Sequence, residues 1–427
     1  MRARPLAVAA VTALATLATL ACGDRRADGG GGLPPAERWQ APAGADTAAA
    51  PPAETADERL ARCVAEVFVA EAGRDGNLPS DVLRAWPGVA DADAITLLRA
   101  LVAAAGRLAA ADQQALLLAE AGLALVERGE TQTARAALDR AGALARRDGR
   151  DRRETRADLA VAGAARAWGR LGDDAAVRRL AADPEAAPYL ARGLVEGGHG
   201  ERADQVLAGL DASGAIEPFA AGELPIVDLL RGRPERARAR LAAAPADWRE
   251  VFALRLATAA VEHGHADARA LVAQAAGLVD GAGAPPSMEL ELARLAHLVG
   301  DGDGARARRG RIHRALLALP DPDLARVALT RLHAVALDAD DRAGAAAAIA
   351  ALEERGARPW MLAMVRADAL ARAGELDRAL DEVEHLAPSL RPPRGVVYVW
   401  LLTRHLARGA GERDAAFARR LAGRACG

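Results

Sequence analysis

The chain has no lysine: all 56 of its basic residues are arginine. It has a single asparagine, Asn77, and aromatic residues make up only 3% of it. Without a lysine amine, neither a Walker-type phosphate loop nor Schiff-base catalysis is possible. The scarcity of aromatics argues against a sugar-binding face, which normally presents stacking platforms. Neither sign of charge dominates, since the formal net charge is −2, so nothing draws the whole molecule to nucleic acid or an anionic membrane. No H-E-x-x-H occurs, and Ser80, Ser213, Ser287 and Ser389 all lie outside any G-x-S-x-G. Carboxylate pairs are frequent, but none stands apart as an acid/base couple. The sequence therefore predicts no catalytic residue, no metal site, no cofactor and no nucleic-acid partner.

What is abundant is alanine, arginine, leucine and glycine, the bias of a GC-rich genome; 51% of the chain is apolar. Against that background a cluster of arginines carries little functional information by itself.

The N-terminus has an address. Arg2 and Arg4 precede an uncharged apolar run from Leu6 to Ala21, which ends at Cys22. A positive start followed by a short apolar core has the form of a secretory signal, and the run is marginal as a membrane span. The residues Thr19-Leu20-Ala21-Cys22 resemble the lipobox of bacterial lipoproteins, with Thr19 where leucine is commoner. The resemblance implies cleavage after residue 21 and lipid on Cys22. By the Gram-negative sorting rule Gly23 then permits export to the outer membrane, facing the periplasm. The other reading is an ordinary cleaved signal with an incidental cysteine. Residues 22–57 mix Gly, Pro, Ala and charge without periodicity, the composition of a flexible tether.

From Glu58 onward the apolar residues recur at helical spacing, broken by short Gly, Asp and Pro turns at intervals of roughly 30 to 40 residues. Residues 58–111 are less regular and are expected to form a helical cap for the repeats that follow, 112–427. The clearest unit is "RADALARAGELDRALDEVEHLAP", 366–388, with its turn at Gly374 and small residues Ala367 and Ala379. Around Gly129 the small residues are Gly122, Ala134 and Ala141. Gly198 has Ala191 and Ala203; Gly232 has Ala237 and Ala244; Gly264 has Ala257 and Ala276; Gly300 has Ala293 and Ala305. Gly172, Asp340 and Gly411 are poorer anchors. The pattern resembles the tetratricopeptide repeat, with small residues seven before, five after and twelve after a turn glycine. About nine hairpins of about 35 residues fit its 34-residue period. The resemblance implies an all-α, right-handed α-solenoid of stacked antiparallel helix pairs; another helix-pair solenoid is the alternative. In an oxidising compartment Cys63 and Cys426 could pair, but an elongated stack would hold them too far apart to bond, so separate cysteines are the expectation and pairing is the alternative.

Three motifs remain. His263-Gly264-His265, with Glu262 and Asp267, is the nearest approach to a metal cluster but falls on an expected inter-helix turn. "GDGDGA", 300–305, follows a helical rather than a strand pattern and is expected to join helices. The arginine run "ARARRGRIHR", 305–314, reads as a solvated helix face, with an acidic protein or lipid headgroups as the alternative.

In a tetratricopeptide solenoid the first helix of each pair lines a concave groove that binds peptide. Carried over unit by unit, that implies a surface of Phe219, Ile226, Val251, Leu254, Leu290, Arg294, His297, Met361, Met364 and Tyr398. This surface would suit an apolar peptide or helix; read one residue out of register, the same positions are ordinary core. The function expected is a scaffold or adaptor, tethered to the membrane by lipid and holding another envelope protein. A lipid- or glycan-binding receptor is the alternative.

Overall fold

The computed structural model describes residues 55–75, 91–147, 155–213, 216, 218–280, 284–386 and, near the C-terminus, 397, 401, 420, 421, 423, 424 and 426. Among them there is helix and no strand. The first pair is α1 (Ala56–Asp75) and α2 (Asp91–Ala104), with a 3-10 turn at Ala105–Arg107. Next come α3 (Ala111–Glu127) with α4 (Thr131–Arg147), α5 (Thr155–Leu171) with α6 (Asp174–Ala181), and α7 (Ala187–Glu196) with α8 (Gly200–Ser213). A one-turn helix, Pro218–Ala221, leads into α9 (Glu223–Leu230) and α10 (Pro234–Ala243). The remaining pairs are α11 (Ala246–Glu262) with α12 (Ala268–Asp280) and α13 (Pro286–Leu298) with α14 (Gly302–Ala318). The last two are α15 (Pro322–Asp338) with α16 (Arg342–Glu354), and α17 (Pro359–Arg372) with α18 (Leu376–Glu384). From α3 on, each odd-numbered helix packs on the even one after it and on the next odd one. The odd helices therefore make one layer and the even helices another. In the described part of residues 58–111, α1 and α2 pair with each other and α2 packs on α3.

The helices begin and end on local chemistry. Asp173, Asp301, Asp321 and Asp341 each accept backbone N–H groups at the start of the following helix, satisfying donors that have no partner inside it. Proline occupies the first turn of α7, α10, α13, α15 and α17, where its missing N–H costs nothing. The helix ends repeat one device. Glu130 N–H donates back to Leu125 O at 3.0 Å, His199 to Leu194 at 2.7 Å, His265 to Ala260 at 2.8 Å and Glu375 to Leu370 at 2.9 Å. The residue just before each donor turns left-handed. Left-handed residues include the expected turn glycines Gly129, Gly172, Gly198, Gly232, Gly264, Gly300 and Gly374, with φ from 61° to 82°. At the remaining expected turn that is described, Asp340 has φ 55°, and it is the one non-glycine residue with positive φ among the described residues. Gly411 lies outside them.

The small residues sit where the two helices of a pair touch. A Cβ on Gly122 would lie 2.7 Å from Leu138 Cδ2. Ala134, Ala141, Ala191, Ala203, Ala237, Ala244, Ala257, Ala293, Ala305, Ala367 and Ala379 are all buried. One place departs from the pattern. After Gly264 the turn runs longer before α12 begins at Ala268, so Ala275 is buried and Ala276 only half-buried.

The expected separation of Cys63 and Cys426 is wrong. They form a disulfide with their Cα atoms 5.9 Å apart across a sequence separation of 363 residues. An elongated stack cannot do this; one whose successive pairs turn until the last returns to the first can. The apolar core agrees: Val64, Ala65 and Val69 of α1 belong to one cluster with Val397, Leu401 and Leu421. The middle helices fill two clusters of their own. No helix among the described residues is long and apolar enough to cross a membrane.

The turns give a stability test with opposite signs. A Cβ at Gly264 meets nothing within 4 Å, so Gly264→Ala carries only the left-handed backbone cost, about 1–2 kcal/mol. Asp340→Gly removes that cost, stabilising the fold by up to about 1 kcal/mol after the added freedom of the unfolded chain, and so raises the urea midpoint. Chemical denaturation of the two variants beside the parent measures both.

Candidate functional site

The odd helices do more than pack apolar faces. Helix α5 crosses α7 with almost nothing between the backbones. A Cβ on Gly169 would lie 2.4 Å from Leu190 O, one on Gly193 2.0 Å from Arg166 O, and one on Gly197 2.4 Å from Arg170 O. Only glycine permits that approach. It places Arg166 and Arg170 of α5 directly against Glu196 at the end of α7. Arg166 meets Glu196 through two hydrogen bonds of 2.7 Å, Arg170 Nε donates to it at 2.8 Å, and Arg192, one turn earlier on α7, at 2.9 Å. Arg170 reaches back to Glu127 of α3 at 3.0 Å.

From Arg192 a chain of buried charges continues along the layer. Its guanidinium donates to Glu223 of α9 at 3.1 Å, and Glu223 in turn accepts from Arg255 of α11. Arg255 also donates to Phe219 O at 2.9 Å and lies 4.8 Å above the Phe219 ring, a cation–π contact. Two links skip α9 altogether: Arg192 lies 3.8 Å from Glu262, and His263 Nε2 lies 3.5 Å from Glu196. The odd helices thus lie on the inside of the bend. Further on, Glu291 of α13 accepts from Arg294 at 2.9 and 2.6 Å and from Thr258 of α11 at 3.3 Å. The side chains of Arg192, Glu196, Glu223, Arg255 and Glu262 are each at most 5% exposed.

Burial alone would push the Glu196 carboxyl up. Arg166, Arg192, a hydrogen bond from His263 and Arg170 outweigh it and hold the group well below the ordinary carboxylate range. Glu196 is therefore ionised and held by several partners, so its chemistry is to fix helices in place. Glu262 and His263 stood out in the sequence only as a turn motif, and Phe219 and Arg294 only as groove positions; Arg166, Arg170, Arg192, Glu196, Glu223, Arg255 and Glu291 were not expected. Arg192, Glu196 and Arg255 are charges inside otherwise apolar stretches, as in "YLARGLVEG" and "FALRLATAAVE"; that pattern is the signal that marks them.

The structure distributes the expected groove residues differently. Ile226, Leu254, Leu290, Met361 and Met364 are buried in the core, Ile226 and Leu254 completely. Around Leu254, residues 252–260 of α11 are all buried, since that helix has neighbours on each side. Phe219, Val251, Arg294 and His297 are half-buried. Phe219 stacks edge-on against Trp248 with ring centres 6.0 Å apart. Tyr398 and Cys22 lie outside the described residues.

Two of the three motifs resolve as joints. His265 Nδ1 accepts the Asp267 N–H at 3.1 Å while His263 turns toward Glu196, so the two imidazoles serve different partners. In "GDGDGA" Gly300 makes the left-handed turn and Asp301 caps α14 through Gly304 N–H at 3.0 Å. The arginine run lies on α14, but part of it faces inward. Arg308 and Arg309 are buried, pairing with Asp280 and Glu289 and with Asp341. The expected solvated face keeps Arg306, Arg311 and Arg314.

Compared with known proteins, the chain matches no family model and no curated protein.

Removing one member of the chain leaves its partners charged and dry. Glu196→Gln should cost about 3–5 kcal/mol, the usual penalty for an uncompensated buried charge. Acid should do the same to the parent protein. Glu196, Asp204 and Asp341 are held below their ordinary values of 4.5, 3.8 and 3.8. Their stabilisation is complete above about pH 4.5 and is lost as pH falls through the depressed native values. Urea midpoints between pH 7 and 2.5 should fall only in acid, and less steeply in Glu196→Gln. Gly193→Ala should push α5 off α7 and cost about 3 kcal/mol, at the upper end for overpacking.

Proposed function

We propose that the protein is an exported scaffold of the bacterial cell envelope, anchored by lipid at Cys22 and built as a tetratricopeptide-like, right-handed solenoid that recruits another protein. The single observation that carries the proposal is the Cys63–Cys426 bond. Such a bond persists in oxidising compartments and is rare in the cytosol, which fits the signal-like N-terminus. It also accounts for the cysteines. The chain has three, the disulfide takes two, and lipid on Cys22 would occupy the third thiol, leaving none free to mispair.

The repeat reading draws support from the turns and the buried small residues, which fall at nearly every expected place. For the partner, the accessible part of the expected surface is the half-buried set Phe219, Val251, Arg294 and His297. The buried members support that surface from beneath. An apolar peptide or helix of an envelope protein would lie against Phe219 and Val251.

The test is crosslinking in the native host, purification from membranes and mass spectrometry of what is retained, with Cys22→Ala as a control. The expected result is a stoichiometric envelope protein retained by the parent and lost from Val251→Arg, which keeps its helical circular dichroism. Recovery of Cys22→Ala in the membrane fraction at the parent's level would sink the lipid anchor. A preparation free of other proteins but carrying bound lipid or sugar would replace the scaffold with a receptor.

A further inference from the structure

Among the described residues two large apolar side chains are exposed, Leu317 of α14 (38%) and Val327 of α15 (43%). Scattered singly, such residues need no explanation. These two share one joint. Arg355, just past α16, donates to Leu319 O at 2.8 Å and to the carbonyls of Leu316 and Leu317, which as the last of α14 lack partners inside that helix. Arg326 Nη1 in turn donates to Arg355 O at 2.8 Å, and Val327 is the next residue. The ends of α14 and α16 and the start of α15 are thereby fastened together, with Leu317 and Val327 held at a fixed place.

The charge at this joint is one-sided. Arg314, one turn before Leu317, and Arg358, three residues past Arg355, are exposed; Arg331, one turn after Val327, is half-buried. None of the three has an ion-pair partner among the described residues. The acids there are mostly engaged. Asp321 caps α15, Asp323 pairs with Arg326 and Glu353 with Arg366. That leaves the exposed Glu354 against three arginines.

We propose that the α14–α15 joint is a docking surface for an acidic segment of another protein. The segment sets a large aliphatic side chain against Leu317 and Val327 and places carboxylates on Arg314, Arg331 and Arg358. A guanidinium fork matches a carboxylate through two parallel hydrogen bonds, and the joint is already ordered, so docking costs little conformational freedom on this side. An anionic membrane has the right sign of charge but the wrong shape. A continuous plane of headgroups would also meet Asp321, Asp323 and Glu354, all exposed at the same joint; a peptide can place its acids on the arginines and pass those carboxylates by. The proposal uses neither the lipid anchor nor the surface at Phe219 and Val251.

The test selects peptides from a random phage-displayed library on the purified full-length protein and measures the affinity of each enriched peptide by fluorescence anisotropy. Arg314→Glu and Val327→Asp are measured beside the parent. Both positions are exposed, so each variant should keep the parent's helical circular dichroism and urea midpoint; Arg358→Glu replaces either one that does not. The enriched peptides should carry net negative charge and a large aliphatic residue. Their affinity should fall at least about tenfold in each variant and weaken as salt is raised, and Val251→Arg should bind them like the parent. Enrichment of basic or neutral peptides, affinities unchanged in both variants, or no enrichment over the variants would overturn the proposal. Peptides lost only from Val251→Arg would overturn it too, while supporting the surface at Phe219 and Val251. Vesicles of phosphatidylglycerol and phosphatidylethanolamine that bind the parent but not Arg314→Glu, with no acidic peptide enriched, would assign the joint to lipid instead.

Discussion

The structure depends on how closely two helices can approach across a tight turn. A left-handed residue ends one helix and sends the chain back, and a small side chain at the crossing lets the second helix lie against the first. Alanine or glycine does this in pair after pair, and at α5 and α7 glycine brings the backbones into direct contact. Larger residues there would spread the helices, and the layer of odd helices would lose its continuity. The bend of the stack, the meeting of its ends and the joining of distant charges all follow from that close approach.

One consequence is a line of arginines and carboxylates in an otherwise apolar layer. Such a line is expensive, since each ion gives up its water and recovers the cost only through well-formed hydrogen bonds. Apolar side chains of similar size would cost less but would tolerate slippage of one helix along another. The bidentate Arg166–Glu196 contact and the shared positions of Arg192 and Arg255 accept one register. The even layer also uses ion pairs, between Asp204 and Arg231 and between Asp211 and Arg236. In these two pairs the side chains are partly exposed and each contributes little, whereas Arg308 and Arg309 of α14 are buried. The dry pairs define the bend, and the wet ones decorate it.

A second consequence is closure. Restricting an unfolded chain by joining residues 363 apart removes about 6 kcal/mol of its chain entropy in the simplest treatment. Most of the chain lies inside that loop. An open stack would expose an apolar face at each end; here α1 and the C-terminal residues share one core.

The sequence alone determined the local structure. Helical periodicity, turn glycines and small residues at fixed offsets marked the helix pairs, even at Asp340, because these features depend on neighbours within a few tens of residues. It also marked Gly300 and Gly264 as joints rather than binding loops. Only the tertiary structure decided what the curvature does. Curvature is the sum of small rotations between pairs, each set by the fit of many side chains, and no motif encodes the sum. That sum carried Cys426 back to Cys63, enclosed Ile226 and Leu254 where an open groove was expected, and brought Arg192 across α9 to Glu262. An isolated charge in an apolar helix was visible in the sequence; which charge it would meet was not, because the partner lies one or two helix pairs away.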